Sequence, residues 1–140
     1  MNLCYQLDIN DSVTFTGQIS NKEVLKRMAE TEVFVMPSIR EGLGIVYLEA
    51  MASGCVTIGT KGEGIEDIIY NEKNGFLVES DHPEMISNYV KLCFSNNRYM
   101  KEISCKGKES VRDMTWETNA EKYKALFEQI IKKQFNKIII

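Results

Sequence analysis

The sequence has no long hydrophobic run, no excess of basic residues and no recognisable leader. Its longest purely apolar runs, such as residues 33–36 and 138–140, fall far short of the roughly 20 residues that cross a bilayer. Lysine and arginine number 17 against 20 acidic residues, giving a net charge of −3, which disfavours nucleic acid as a partner. The first residues lack the basic start and apolar centre of a signal peptide. These absences predict a cytoplasmic protein.

Metal-binding patterns are missing as well. His82 is the single histidine, and the four cysteines, at positions 4, 55, 93 and 105, include no Cys-x-x-Cys pair. No two aspartates lie two positions apart, so the paired carboxylates that hold a metal-bound nucleotide are absent. We therefore expect reduced, mostly buried thiols, no metal ion and no cofactor.

The sequence does contain the alternation that is typical of an α/β domain. Its 140 residues, 44% of them apolar, suffice for one domain over residues 1–140, with a core over about 10–95 and C-terminal helices over about 97–135. Short β-branched runs alternate with helical patterns, which favours βαβ units around a parallel sheet. Four strands are predicted, at residues 13–16, 33–36, 56–58 and 76–78.

Capping signals mark the first two predicted helices. Ser20 and Glu23 have the spacing of a capping box, so a helix is expected from there to about residue 30. A second helix is expected after Gly44 and should end near Gly54, since glycine commonly terminates helices.

Three more helices are expected in the second half of the chain. Asp81 is predicted to cap the first of them, with Pro83 in its first turn and Glu84 at the reciprocal capping position. The other two should cover residues 98–111 and 116 to about 133. The last helix is expected to pack through Tyr123, Leu126, Phe127 and Ile130.

Glycine-containing loops follow the predicted strands, at the edge of the sheet where α/β proteins bind ligands. They include Gly17, residues 37–44 and residues 59–64. Amides at the helix start after the second loop would receive a phosphate, and Glu41 and Glu49 could border that pocket. Carboxylates accept hydrogen bonds from paired hydroxyls, so the pattern indicates a nucleotide and a sugar. The alternatives are that the glycines serve turn geometry, that Glu41 caps a helix and that Glu49 lies on a solvated face.

The segment from residue 37 to residue 54 carries a specific motif, which reads Pro37-Ser38-x-x-Glu41-Gly42-x-Gly44-x-x-x-Leu48-Glu49-Ala50-Met51-Ala52-x-Gly54. This motif resembles the donor site of retaining GT-B glycosyltransferases (glycosyl transferases group 1, family 4 type). The resemblance continues through residues 61–66, residues 74–78 and the helix that begins at Trp116. It implies a partial doubly wound, Rossmann-like parallel sheet: the carboxyl-terminal, donor-binding portion of such an enzyme without its first two strands.

The resemblance implies transfer of a hexosyl group from a nucleotide diphosphate sugar to an acceptor hydroxyl, with retention and without a metal. The acceptor would be a glycan, a lipid-linked sugar or a small molecule. Glu41 would be the catalytic residue that contacts hydroxyls of the transferred sugar, and it is not assigned as a nucleophile. The donor-binding candidates are Glu49 at the ribose, the amides of Gly42, Leu43, Gly44 and Ile45, Gly17 on the nucleotide side of the cleft, and Arg40 near phosphate.

The sequence also departs from the family pattern. Leu43 replaces an aromatic residue, Val56 replaces a proline, and no proline precedes Glu66, for which a mainly structural role is expected. The arginine and lysine that grip the diphosphate in the family have no counterpart, and neither do the first two strands of the family order 3-2-1-4-5-6.

These gaps predict that the chain is part of a longer or split transferase that a second chain could complete. The alternatives are a nonenzymatic nucleotide-sugar-binding module, an inactive remnant or a GT-B-like epimerase. Peripheral attachment at the inner membrane face is left open.

Overall fold

A computed structural model of the chain describes residues 2–135. Within that range the helices are α1 (Asn2–Gln6), α2 (Asn21–Ala29), α3 (Ile45–Ser53), α4 (Pro83–Ser95), α5 (Asn97–Val111) and α6 (Trp116–Phe135). The strands are β1 (Val33–Val35), β2 (Val56–Thr60) and β3 (Phe76–Val78). Short 3₁₀ turns cover Asn10–Ser12 and Gly64–Asp67. The predicted helix positions are confirmed, and the final 138–140 run lies outside the described residues.

The strands form a parallel sheet in the order β1-β2-β3, with Val33 opposite Val56 and Ile58 opposite Phe76. The central strand β2 is buried along its whole length. Since side chains alternate along a strand, Ile58 and Phe76 pack with α4 and α5 on one face, whereas Leu77 packs with α3 on the other. Apolar layers therefore cover both faces of the sheet. Because the strands are parallel, their carboxyl ends lie at one edge, as predicted for an α/β sheet.

The prediction of a strand at residues 13–16 is wrong. Val13 has extended backbone angles, but the segment pairs with no strand among the described residues, and Phe15 is 60% exposed. An extended segment becomes a strand only when a neighbour pairs with its amides and carbonyls. The resemblance places two further strands between this segment and β1, and the structure shows none there: one edge of β1 has no paired strand in the described part of the chain.

Two further expectations are corrected in the C-terminal half. Asp81 does not cap α4, because His82 occupies that position without a capping hydrogen bond, while Asp81 has a φ of 61°. The predicted core face of α6 is not buried, since its four apolar residues are 44–59% exposed (Tyr123, Leu126, Phe127 and Ile130). The amphipathic pattern does form a helix, but no described element covers its apolar face.

The thiols only partly match the expectation of burial. Cys55 and Cys93 are buried, Cys4 is half-buried and Cys105 is exposed, and all four are free. Burial raises the pKa of the Cys55 and Cys93 thiols, which keeps them protonated and unreactive. The Cys55 thiol also lies 3.1 Å from the carbonyl of Met28, joining the start of β2 to the end of α2.

No helix among the described residues has both the length and the apolar character needed to cross a membrane.

Candidate functional site

The loop between β1 and α3 is anchored from beneath by Tyr47. This side chain is 0% exposed, and its hydroxyl donates to the carbonyl of Met36, at the start of the loop. Burial raises the pKa of the Tyr47 phenol and the carboxylates of Glu41 and Glu63 raise it further, so the hydroxyl stays protonated. Gly44 lies against the Tyr47 ring with a φ of 64°, and a Cβ added to Gly44 would lie 2.7 Å from the ring carbon Cδ2. Only glycine fits at that position.

We expect Tyr47→Phe to destabilise the chain by about 1 kcal/mol, because it removes the hydrogen bond from the phenol to the Met36 carbonyl, which then accepts only the amide of Ser38. Urea unfolding at neutral pH would measure the loss. Tyr123→Phe is the control, since Tyr123 is 56% exposed and should give no measurable change. A stability equal to that of the parent chain in Tyr47→Phe would contradict the anchoring role of the hydroxyl.

A carboxylate from the loop after β2 holds the tip of the loop between β1 and α3. Glu63 precedes the 3₁₀ turn after β2, and its oxygens accept the amide of Arg40 at 2.9 Å and the amide of Glu41 at 2.7 Å. Arg40 has a φ of 64°, a conformation that costs a non-glycine residue energy unless the surroundings fix it. The Glu63 carboxylate provides that fixation and sets the position of Glu41.

Glu63 is a site residue that the sequence patterns do not predict. It lies within the segment 61–66, which shares the family resemblance. One signal could have identified it, since the loops after β1 and β2 must be neighbours if those strands pair in parallel. An acidic side chain in the second loop can then accept the amides of the first.

The two loops also touch through their backbones. A Cβ added to Gly64 would lie 2.3 Å from the carbonyl oxygen of Gly42 and 3.0 Å from the amide nitrogen of Leu43. Real Cβ atoms do not approach this closely, so the contact requires glycine at position 64. The glycine thus allows the loop after β2 to support the loop that carries Glu41.

Four consecutive amides at the top of this loop remain free for a ligand. Within the described residues, the N–H groups of Gly42, Leu43, Gly44 and Ile45 donate no hydrogen bond, and no side chain caps the start of α3. Unsatisfied amides at a helix start carry partial positive charge and favour an anion. The arrangement can bind a phosphate or another group with negative oxygens.

The two glutamates differ in their surroundings. Glu49 lines a cleft of about 530 Å³ together with Leu43, Ile45 and the exposed Trp116 of α6. Glu41 is half-buried and is not among the residues lining that cleft; its side chain lies close to Gly44, since a Cβ built there would lie 3.1 Å from Glu41 Cγ. The structure therefore brings Glu49, Leu43 and Ile45 to one open cleft and holds Glu41 against the loop.

The remaining predicted site residues are less closely tied to the loop. Gly17 is exposed with a φ of 61° and does not line the cleft that holds Glu49. The backbone of Arg40 is held by Glu63, while its side chain forms no ion pair with a described residue. Among the described residues, no three histidine, cysteine or acidic side chains are grouped closely enough to hold a metal ion.

Comparison with known proteins agrees with this geometry. The family model of glycosyl transferases group 1 matches residues 1–110. An uncharacterized glycosyltransferase of Methanocaldococcus jannaschii is 32% identical over 120 residues, which are 85% of this chain and 31% of that protein. The chain therefore spans about a third of the length of this relative.

Solved structures share the architecture. The C-terminal domain of a glycosyl transferase group 1 family protein from Francisella tularensis superposes with a TM-score of 0.74 at 28% identity, over 79% of this chain and 57% of that one. An Anabaena protein in complex with UDP-glucose gives a TM-score of 0.74 at 21% identity, over 79% and 30%. The predicted fold, the C-terminal Rossmann-like domain of a GT-B protein, is confirmed.

Proposed function

The chain belongs to the glycosyl transferases group 1 family, and from that premise we propose that it is the donor-binding portion of a hexosyltransferase. The reaction moves a hexosyl group from a nucleotide diphosphate sugar to an acceptor hydroxyl with retention of the anomeric configuration. The acceptor is a glycan, a lipid-linked sugar or a small molecule. In this proposal no metal takes part, and the amides of the loop after β1 supply part of the positive charge that the diphosphate needs.

The observation that carries the proposal is the run of free amides from Gly42 to Ile45 at the start of α3. As the bond to the sugar breaks, negative charge develops on the departing diphosphate. Preorganised N–H dipoles stabilise that charge without having to reorient, which lowers the barrier. The Tyr47 and Glu63 contacts keep these dipoles in place.

The glutamates complete the donor site in this proposal. Glu49 accepts hydrogen bonds from the ribose hydroxyls in the cleft beside Leu43 and Ile45. Glu41, fixed through its amide by Glu63, orients the hydroxyls of the hexose at the reacting centre. Arg40 contributes a cation near the phosphates, and Gly17 borders the nucleotide side once the sheet is complete.

Completion of the sheet is part of the proposal. One edge of β1 has no paired strand among the described residues, and the segment 13–16 is likewise unpaired. The sequence also supplies no match for the basic pair that grips the diphosphate in the family. Transfer therefore requires further protein, either in the same polypeptide or in a second chain, that adds the missing strands, the basic pair and an acceptor domain.

Binding of nucleotide sugars to the 140-residue chain tests the donor site directly. We expect UDP-glucose or GDP-mannose to shift the NMR signals of the amides from Gly42 to Ile45, because these N–H groups would donate hydrogen bonds to the diphosphate of the bound nucleotide sugar. UMP, which lacks the second phosphate, should cause weaker shifts. If neither donor moves these signals at millimolar concentration, the proposed donor site is wrong.

Glu49→Gln is expected to weaken binding of the responding nucleotide sugar about tenfold, since a charge-assisted hydrogen bond to ribose is lost. Isothermal titration would measure the dissociation constant. Glu117→Gln is the matched control, because Glu117 lines the same cleft and carries the same charge, but lies on α6. Equal losses in both variants would assign the effect to cleft charge and contradict a specific ribose contact.

A second candidate, a nonenzymatic module that binds a nucleotide sugar, is favoured by the unpaired β1 edge. It makes the same prediction for binding and differs at the next step. Native mass of the polypeptide in its source cell, measured by immunoblot, separates the two. A band well above 16.0 kDa favours the transferase, and a band at that mass without a copurifying partner chain favours the module.

A further inference from the structure

The cleft that contains Glu49 has an exposed tryptophan on its α6 side. Trp116 is the first residue of α6 and lines the cleft, yet it is 80% exposed, and among the described residues no aromatic ring stacks on it. Folded proteins bury most of the surface of a tryptophan, and exposed apolar surface in a groove marks a binding site. The cleft volume of about 530 Å³ is within the range of ligand sites, roughly 300–1,000 Å³. The indole ring is therefore accessible to a ligand in this cleft.

The start of α6 fixes the position of this ring. The hydroxyl of Thr115 accepts the amide of Thr118 at 3.1 Å, and the carbonyl of Thr115 accepts the amide of Asn119 at 3.0 Å. These bonds cap the helix at the residue before Trp116. A rigid aromatic side chain on a capped helix loses little conformational freedom when a ligand packs against it.

The proposed donor site determines which part of a nucleotide sugar would reach Trp116. The free amides from Gly42 to Ile45 would hold the diphosphate at the start of α3. Glu49, the proposed ribose contact, follows Ile45 by about one helical turn, roughly 6 Å along the axis. In a nucleotide the ribose separates the phosphates from the base. With the ribose at Glu49, the base extends into the remainder of the cleft, where Met114 and Trp116 supply apolar surface.

We propose that the base of the donor nucleotide stacks on Trp116. The inference rests on the proposed donor site, because the positions of the phosphates and the ribose direct the base towards α6. An indole ring stacks on any nucleobase, since every base has a π face. Trp116 thus supplies affinity for the nucleoside, which α3 and α6 hold together through Glu49 and Trp116.

The chain contains one tryptophan, so its tryptophan fluorescence reports this ring alone. We expect UMP or GMP to quench the fluorescence along a saturating curve, after correction with free N-acetyltryptophanamide at the same nucleotide concentrations. Ribose 5-phosphate, which lacks the base, should leave the fluorescence unchanged. If neither nucleotide quenches, or if ribose 5-phosphate quenches as strongly, the stacking contact is wrong.

Trp116→Ala should weaken binding of the responding nucleotide about fivefold to tenfold, which is at the low end for loss of a stacked base because the ring is exposed. Isothermal titration would measure the dissociation constants. Trp116→Phe should recover most of the affinity, since a smaller aromatic ring still stacks. Neither variant should change the affinity for ribose 5-phosphate.

Tyr123→Ala is the matched control. Tyr123 is an exposed aromatic residue of the same helix, but it does not line the cleft, so nucleotide affinity should not change. The proposal is overturned if this control loses as much affinity as Trp116→Ala, or if Trp116→Ala weakens nucleotide and ribose 5-phosphate equally.

An NMR titration with UDP-glucose and GDP-mannose keeps the two proposals apart. Shifts of the amides from Gly42 to Ile45 with unchanged Trp116 fluorescence would retain the donor site and reject stacking on Trp116. Quenching by UMP or GMP without shifts of those amides would retain Trp116 as a nucleoside contact and reject the diphosphate site.

Discussion

Gly64→Ala is expected to destabilise the chain by about 2–3 kcal/mol, because the added methyl group would lie 2.3 Å from the carbonyl oxygen of Gly42. That oxygen belongs to the backbone and cannot rotate away like a flexible side chain. The two loops must therefore move apart, which shifts the free amides from Gly42 to Ile45 relative to Glu41. Urea unfolding gives the stability change, and the amide signals from Gly42 to Ile45 report the displacement.

Gly42→Ala is the matched control for this contact. A Cβ at Gly42 would meet nothing within 4 Å, so the same methyl group on the other side of the contact finds open space. The substitution also restricts the unfolded chain, and we expect a change between zero and about 1 kcal/mol of added stability. Similar destabilisation in both variants would show that the close approach is not what requires glycine at position 64.

Glu63→Ala should have the second largest effect. It removes the acceptor of two amides, those of Arg40 and Glu41, and leaves Arg40 in a left-handed conformation with nothing to hold it. We expect a loss of about 2 kcal/mol, smaller than two fully buried charge-assisted bonds would give because the Arg40 contact is exposed. Hydrogen exchange at the two amides should quicken about tenfold or more.

The matched control for Glu63 is Glu66→Gln. Glu66 also accepts a backbone amide, that of Gly62 at 2.7 Å, but that contact stays within the loop after β2. Exchange at Arg40 and Glu41 should therefore be unchanged in this variant. If those amides exchange as slowly in Glu63→Ala as in the parent chain, Glu63 does not position the loop between β1 and α3.

Loss of the Glu63 contact should also weaken binding at the proposed donor site. A mobile loop must be ordered again when a nucleotide diphosphate sugar binds, and that ordering costs free energy. We expect weaker donor binding in Glu63→Ala although Glu63 itself contacts only the loop backbone in the described structure. Rescue by Glu63→Asp, which keeps the carboxylate, would separate positioning from loss of folding.

Local patterns were sufficient for much of the fold. Short apolar runs predicted β1, β2 and β3, and the Ser20 capping signal is realised as a hydrogen bond from the amide of Glu23. Gly54 ends α3 in a left-handed conformation, as its position predicted. These features depend on interactions a few residues apart, which a single sequence contains.

The wrong predictions depended on partners outside the local sequence. Residues 13–16 have the composition of a strand but no neighbour to pair with. The apolar residues of α6, such as Leu126 and Phe127, have the spacing of a core face but remain exposed. Asp81 has the right residue type for a helix cap, yet the N-cap position of α4 falls one residue later, at His82. Pairing, covering and turn geometry each require a second element to be known.

The sequence by itself determined the α/β class and the glycine-bearing loop between β1 and α3, and it predicted Glu41 and Glu49 as site residues, because each is a pattern of neighbouring residues. Only the tertiary structure decided how that loop is held, through Glu63, Tyr47 and the close approach at Gly64. It also decided that Glu49 lines the cleft beside Leu43 and Ile45 and that Glu41 does not. The reason is physical: the Glu63 hydrogen bonds join residues more than 20 positions apart and form only once parallel strands have brought their ends to the same edge of the sheet. The Tyr47 bond spans 11 positions and forms only once α3 has packed against β1.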